Sequence, residues 1–161
     1  MPSFSRRPAI LIGTGALLLA SACHKDTPAP DANTSLLAAH AWRIVASTST
    51  DNMVTPAQTT NWYATFPVYR KDDTYQFNTD GSLLFDEGQL KEKTTDPQTA
   101  TGKWQFDAAQ QAIAITLGKT VPLGTTGITS TTGYTIRKLS ADTLRLTTGT
   151  QAQTVVQTLA R

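Results

Sequence analysis

Few side chains in this sequence could carry catalytic or metal chemistry. The one cysteine is Cys23, and the two histidines are His24 and His40. A zinc site or an acid–base pair needs several such groups to converge. His24 adjoins Cys23 in a polar stretch, which leaves His40 without a partner, and no Gly-x-Ser-x-Gly motif occurs. We therefore predict no catalytic residue, no metal site and no cofactor, and we expect the protein not to be an enzyme.

Two acidic pairs, Asp72-Asp73 and Asp86-Glu87, are the other candidates for chemistry. A calcium or glycosidase site would need the pairs to converge, and neither matches an EF-hand loop. Neighbouring residues on a strand point to opposite faces, so at most one carboxylate of each pair can face inward. We interpret both pairs as solvated turn residues.

The first 23 residues have the pattern of a bacterial export signal. Arg6 and Arg7 precede an apolar run over residues 9–20, which is too short to span a bilayer comfortably. Ala20-Ser21-Ala22-Cys23 resembles the lipobox of bacterial lipoproteins, although that motif prefers Leu or Val where Ala20 stands. The alternative, a secretory signal followed by a stray thiol, would leave a lone cysteine exposed to oxidation. We predict a signal peptide over residues 1–22 and lipidation of Cys23.

Cleavage at that point would change the charge of the chain. Removing Arg6 and Arg7 leaves 12 basic and 12 acidic residues. A neutral chain with scattered cations lacks the basic footprint of a nucleic-acid-binding protein. We expect an outer membrane lipoprotein of the cell envelope, on its periplasmic or its outer face, with the membrane as a partner and no nucleic acid.

The remaining chain predicts one all-β domain. Residues 23–33 are polar and proline-containing, as in a flexible tether, and residues 34–161 are enough for one core. Asn33-Thr34-Ser35 offers N-cap chemistry for a helical turn over residues 36–39. Eight alternating runs follow with short hairpin turns between several of them, and they predict an eight-stranded antiparallel up-and-down barrel, with a sandwich as the alternative. The predicted strands are 42–46, 74–77, 82–85, 103–106, 112–116, 134–137, 143–146 and 154–159.

Taking alternate residues gives the predicted inner face. Nearly all of its members are large and apolar, whereas the opposite face is polar and rich in threonine. Gln157 is the exception because it shares the phase of Val155 and Leu159. The predicted core is Trp42, Ile44, Tyr75, Phe77, Leu83, Phe85, Trp104, Phe106, Ile113, Ile115, Tyr134, Ile136, Leu144, Leu146, Val155 and Leu159.

Three runs, RKDDTYQFNTDG at 70–81, FDEG at 85–88 and DPQTATGKW at 96–104, resemble the lipocalin-like domain of bacterial envelope lipoproteins. The resemblance extends from Leu36 to the C-terminus. It implies a small antiparallel barrel behind a lipoprotein signal, in a family mostly without an assigned activity. His40 stands where the family has a glycine. Tyr69 and Glu92 stand where relatives often have cysteines, so the loop from Phe66 to Tyr69 must be held in another way or be mobile.

The segment over residues 47–69 is far longer than a hairpin loop and carries the aromatic residues Trp62, Tyr63, Phe66 and Tyr69. Long loops are often functional. We predict that these four residues form the ligand-binding site for a small apolar molecule, with a plug that completes the core as the other interpretation. The alternative function is a surface-acting assembly, inhibitor or accessory protein with a filled core and an envelope protein as its partner.

Overall fold

The computed structural model of the protein describes residues 29–118 and 130–161. The predicted signal peptide, Cys23 and the greater part of the predicted tether lie outside these residues. Within the described ranges, no helix is both long enough and apolar enough to cross a membrane.

One antiparallel sheet of nine strands forms the domain, in the order β2-β1-β9-β8-β7-β6-β5-β4-β3. The predicted all-β class is confirmed, but the predicted closed barrel of eight strands is wrong in strand number and in closure. The elements are α1 (Ala32–Ala38), β1 (Arg43–Asp51), β2 (Gln58–Asn61), α2 (Trp62–Thr65), a 3-10 turn (Val68–Arg70), β3 (Thr74–Phe77), β4 (Ser82–Asp86), β5 (Thr99–Phe106), β6 (Ala112–Leu117), β7 (Ser130–Leu139), β8 (Thr143–Gly149) and β9 (Gln153–Ala160).

The extra strand comes from the segment that the sequence predicts as a loop. β1 continues to Asp51 and pairs there with β2, so β2 and β3 become the edges of the sheet. A single bridge links Trp42, just before β1, to Tyr75 on β3, with backbone N–H to O distances of 2.9 and 2.8 Å. The edge strands β2 and β3 do not pair with each other, so the sheet stays open, and this bridge joins the start of β1 to β3 in the described residues.

A β-bulge changes the phase of β1. The register with β9 shifts between Ile44 and Ala46. Ile44 faces inward before the bulge, and Ser47 and Ser49 are buried after it. A bulge inserts one extra residue into a strand, so the residues beyond it exchange faces. Two serines thus lie on the inner face of the sheet.

The predicted inner face is correct. Its members are buried or half-buried, and Leu37 and Leu117 join them in the core. Leu117 lies one residue beyond the predicted end of its strand and pairs with Gly102. A Cβ at Gly102 would clash first with the Thr116 carbonyl oxygen and then with the Leu117 side chain at 2.8 Å, so the glycine makes room for both.

Helix α1 covers one end of the sheet, where β1 begins and the β5–β6 turn lies. Its N-cap is Asp31 and not the predicted Asn33-Thr34-Ser35, since the Thr34 N–H donates to Asp31 Oδ1 at 2.9 Å. This hydrogen bond lowers the pKa of Asp31 because it favours the charged carboxylate. Leu37 is fully buried, and its carbonyl accepts the Trp42 indole N–H at 2.8 Å.

Candidate ligand-binding site beneath the second helix

Residues 62–71 join the two edge strands of the sheet. The segment begins with α2, whose N-cap Asn61 accepts the Ala64 N–H at 3.1 Å, and continues through the 3-10 turn. Because β2 and β3 are the edges, this connection lies at the gap that the sheet leaves open. We call residues 62–71 the cover segment.

The cover segment holds all four predicted ligand-binding residues. Tyr63 and Phe66 are half-buried and pack against the core, with ring centroids 5.7 Å apart. Trp62 and Tyr69 are also half-buried but lie outside the described core cluster. The Lys71 ammonium lies 5.1 Å from the centroid of the Tyr63 ring. The structure thus brings two of the four aromatic residues together over the core, and their ligand-binding role stays a prediction.

Each acidic pair places one carboxylate inside the domain. Asp73 and Glu87 are only 6% exposed. β3 and β4 pair Thr74 with Asp86, so one further step of the ladder sets Asp73 opposite Glu87. Both share the inner face with Tyr75 and Phe85. The interpretation of the pairs as solvated turn residues is therefore wrong for these two side chains.

The other member of each pair supports the β4–β5 connection. Asp72 Oδ2 accepts the backbone N–H groups of Gln89 and Leu90 at 2.7 and 3.0 Å, and Asp86 Oδ1 accepts the Gly88 N–H at 2.8 Å. Gly88 has a φ of +66°, and a Cβ there would lie 2.5 Å from Asp72 Oδ2. Asp72 and Asp86 are therefore structural residues.

These contacts bear on how the cover segment is held without a disulfide. Arg70, next to Tyr69, lies 4.0 Å from Glu92. An ion pair between partly exposed groups contributes little by itself. Tyr63 and Phe66 attach the cover segment to the core by packing, and Asp72, the residue that follows the segment, is hydrogen-bonded to the β4–β5 connection.

The two inward serines differ in their hydrogen bonding. Ser49 Oγ accepts the Gln153 side-chain N–H at 2.9 Å. Ser47 is 0% exposed, and its hydroxyl has no hydrogen-bond partner among the described residues. Burying a hydroxyl without a partner costs roughly 1–3 kcal/mol, so such groups are rare and mark places for a water or a ligand. Sequence reasoning missed Ser47 because only the bulge turns it inward.

Ser47 and the two inward carboxylates lie on strands that the Trp42–Tyr75 bridge connects. Extending the Trp42–Tyr75 bridge by two residues sets Ile44 opposite Asp73. Ser47 is the next inward residue of β1 beyond Ile44. Ser47 pairs with Gln157 of β9. We refer to the three inward polar residues Ser47, Asp73 and Glu87 together as the polar cluster.

The charged groups that act on Tyr75 are Asp73 and Arg70. Burial raises the pKa of Tyr75, the negative charge of Asp73 raises it further, and the positive charge of Arg70 lowers it. Burial also raises the pKa of Tyr134. Both phenols are therefore neutral at physiological pH.

Below the polar cluster, aromatic rings fill the interior. Trp104 packs edge-on against Phe77 and Phe106, with centroid distances of 5.8 and 5.1 Å, and Tyr75 packs against Phe85 at 5.3 Å. Two grooves of about 390 and 500 Å³ occur in the described part of the chain. They are lined by residues of β5 to β8, among them the outward-facing Lys103, Gln105 and Thr135. These grooves lie on the outer face and not in the interior.

His40 lies apart from the polar cluster. Its ring stacks on Trp42 at 4.3 Å, next to α1. In the described ranges, no three His, Cys, Asp or Glu side chains form a group able to hold a metal ion. No hydrogen bond joins His40 to Ser47, whose hydroxyl has no partner among the described residues.

We predict that the cover segment contributes to stability through Phe66 more than through Trp62. Phe66→Ala should lower the free energy of unfolding by about 1–2 kcal/mol, because half of a phenylalanine's apolar surface leaves water on packing. Trp62→Ala should cost clearly less in the same urea titration. An equal or larger loss of unfolding free energy for Trp62→Ala would contradict this prediction and show that Trp62 packs on the core at least as well as Phe66.

Comparison with known proteins gives one structural neighbour. No protein-family model matches the sequence, and no curated protein matches it significantly. A crystal structure from Bacteroides uniformis aligns with a TM-score of 0.45 and 14% identity, over 78% of this chain and 98% of that chain. The neighbour is a lipocalin-like protein. It belongs to the class that the sequence resembles, and a likeness at this level says nothing about a ligand or an activity of this chain.

Proposed function

We propose that the protein is a lipid-anchored binding protein of the bacterial cell envelope, with a lipocalin-like domain that holds a small molecule beneath the cover segment. The observation that carries the binding role is the fully buried Ser47 hydroxyl without a partner, on the same inner face as Asp73 and Glu87. A ligand there would be closed off by Tyr63 and Phe66. The polar cluster favours a ligand with hydrogen-bonding groups over the purely apolar molecule that the sequence predicts.

The proposed role is binding without catalysis. Ser47 would need a base to act as a nucleophile, and His40 is packed against Trp42 near α1. The two phenols have raised pKa values because they are buried, which keeps them protonated. A cluster of this kind can orient a ligand through hydrogen bonds and charge, but it offers no activated nucleophile.

Native mass spectrometry of the full-length protein, purified from membranes, tests the binding role. We expect a small molecule to co-purify, and Ser47→Leu should release it because the larger side chain occupies the space beside the hydroxyl. Thr48→Leu is the matched control, since Thr48 lies on the opposite face of β1. A protein that carries no small molecule and gives identical spectra for the three chains would refute the binding role.

The anchor rests on the lipobox-like residues before Cys23. We predict that Cys23→Ser moves the protein from the detergent phase to the aqueous phase in a phase-partition assay. Two or three acyl chains give stable membrane attachment, which a single chain does not. Ser21→Thr, which leaves the cysteine in place, should stay in the detergent phase. Membrane association that survives carbonate washing of the Cys23→Ser protein would contradict the lipid anchor.

A surface-acting role is the second candidate, and the exposed apolar side chains favour it. Met53 and Val54 lie in the β1–β2 connection, Val68 in the 3-10 turn and Leu90 in the β4–β5 connection. All four lie toward the end of the sheet opposite α1. Replacing Met53, Val68 and Leu90 together by serine should abolish cross-linking to an envelope protein if this role is correct, while retention of a small ligand stays unchanged.

A further inference from the structure

We propose that a basic patch on the outer face of the sheet lies against the anionic lipid headgroups of the membrane to which the protein is anchored. The patch consists of Arg43, Arg137, Lys138 and Arg145. This inference rests on the proposed lipid anchor and adds the surface that the domain turns toward the membrane. Its basis is a group of exposed basic side chains at the end of the sheet where the tether enters the domain.

A β-bulge brings three of the four cations together. The register of β7 with β8 shifts between Ile136 and Lys138, which makes Arg137 the extra residue, and Lys138 pairs with Arg145. Two residues of a bulged strand oppose one residue of its partner, so Arg137 and Lys138 both stand opposite Arg145. All three side chains are exposed, while the flanking Ile136 and Leu144 pack in the core. The three cations therefore point outward.

Arg43 adds a fourth cation to the same face. Arg43 of β1 and Thr143 of β8 both pair with Ala160 of β9, so Arg43 lies two strands from β8, a distance of about 10 Å. It is exposed and precedes the inward Ile44. The patch thus occupies the outer face where β1 and β8 begin and β7 ends.

The positive charge of the patch is not balanced by neighbouring acids. β7, β8 and β9 contain no acidic residue, and none of the four cations forms an ion pair within residues 29–118 and 130–161. Hydrogen bonds from the hydroxyls of Ser140 and Thr143 lower the pKa of Asp142 in the β7–β8 turn, and the charge of Lys138 lowers it further. One nearby carboxylate against four cations leaves the patch positive. The other acids at this end lie in the α1 cap and in two hairpin turns, where each accepts a backbone N–H, and they are Asp31, Asp80 and Asp107.

The outer groove of about 390 Å³ gives a headgroup phosphate a place beside Arg137. Thr135 and Thr147, which pair across β7 and β8, line the groove with Arg137 and supply hydroxyl donors. A guanidinium group binds phosphate oxygens through two parallel hydrogen bonds. Gly133 also lines the groove, and a Cβ there would meet no atom within 4 Å. Packing within the described residues therefore does not require this glycine, and its small size keeps the groove open.

The length of the tether keeps this end of the domain near the membrane. Asp31, the N-cap of α1, follows Cys23 by eight residues. Eight residues span at most about 29 Å when fully extended. Attraction to an anionic surface decays within a Debye length, about 8 Å at physiological ionic strength, so cations act only where an anchor holds them close.

Helix α1 connects the tether to the basic patch. The Asn33 side chain donates to Gln110 Oε1 at 2.7 Å, and the carbonyl of the next residue, Gln111, accepts the Ile136 N–H at 2.8 Å. Ile136 directly precedes Arg137. The patch therefore lies at the same end of the domain as the helix that the tether enters, and the opposite end, with the cover segment, points away from the membrane.

Amine labelling of Lys138 in the full-length protein purified from membranes tests this inference. The protein is placed in vesicles of phosphatidylcholine alone, or of phosphatidylcholine mixed with phosphatidylglycerol, and treated with a water-soluble acetylating reagent. We expect Lys138 to react at least about fivefold more slowly on the anionic vesicles, and the difference to disappear in high salt. Lys93, exposed in the β4–β5 connection at the opposite end, should react equally on both.

Arg145→Glu should bring the rate ratio of Lys138 between the two kinds of vesicle back to about one, because it places an acid in the centre of the patch. Lys103→Glu is the matched control. It makes the same change of charge on the outer face of β5, where Lys103 pairs with Thr116 and lies away from the patch, so it should leave the ratio unchanged. Both residues are exposed, and neither variant should move the urea midpoint by much.

An equal Lys138 rate on both kinds of vesicle, with the protein attached to both, would overturn the basic-patch inference and leave the lipid anchor intact. Protein that floats with neither kind of vesicle would refute the anchor and this inference together. Protection of Lys138 by a short DNA duplex but not by anionic vesicles would assign the patch to nucleic acid and would also overturn the inference.

Discussion

Trp104→Ala is expected to lower the free energy of unfolding by about 3–5 kcal/mol, the usual cost of removing a buried aromatic side chain. Trp104 is buried, packs edge-on against Phe77 and Phe106, and donates its indole N–H to the Asn78 carbonyl at 3.0 Å. The substitution removes both ring contacts and leaves that carbonyl without its donor. Small domains have only about 5–15 kcal/mol in total, so much of the stability would be lost.

A urea titration followed by circular dichroism measures this loss. Lys103→Ala is the matched control, because Lys103 is the neighbouring residue on the same strand and faces solvent. Its effect should stay within about 0.5 kcal/mol. A loss below about 1 kcal/mol for Trp104→Ala would show that the inner face of β5 has been assigned to the wrong residues.

The inner face could be predicted from the sequence because strands have a period of two residues. Wherever apolar and polar residues alternate, as in Tyr75-Gln76-Phe77 or Leu144-Arg145-Leu146, burial in the structure follows the prediction. The physical reason is that one register buries every large side chain and a shift by one residue exposes all of them. The inward face of such a strand can therefore be assigned from its own sequence, before its pairing partners are known.

The second half of β1 and all of β2 gave no such signal. The residues Ser47-Thr48-Ser49-Thr50 are polar on both faces, and so are Gln58-Thr59-Thr60-Asn61. Without apolar alternation, a strand is indistinguishable from a loop by pattern alone. The ninth strand and the edges of the sheet therefore could not be predicted, although the chain length between Trp42 and Tyr75 leaves room for them.

The candidate site was predicted only in part. The aromatic residues of the cover segment could be picked out from the sequence, because Trp, Tyr and Phe stand in an otherwise polar stretch. The inward carboxylates were not, since which member of Asp72-Asp73 faces inward depends on how β3 pairs with β4. Ser47 faces inward only because of the bulge in β1, and that bulge is set by the pairing of β1 with β9. The inward orientation of these three polar residues thus depends on how the strands pair, which the sequence of one strand does not reveal.

Trp42 contacts three parts of the domain: β3, the core and α1. Its backbone forms the bridge to Tyr75 between the two sides of the open sheet. The fully buried indole ring packs in the core, and the ring N–H reaches the Leu37 carbonyl of α1 at 2.8 Å.

Trp42→Ala is therefore expected to cost about 3–5 kcal/mol of unfolding free energy and to release α1 from the end of the sheet. Trp42→Phe keeps most of the apolar volume and loses the hydrogen bond to Leu37, so it should cost only about 1–2 kcal/mol. Urea titration gives the two losses, and hydrogen exchange of the α1 amide groups shows whether the helix has detached. Faster exchange in α1 for Trp42→Ala but not for Leu83→Ala, another buried core residue, is the result we expect. Equal exchange in both variants would show that α1 is held by Asn33 and Gln76, through their hydrogen bonds to Gln110 and Ala38, and not by Trp42.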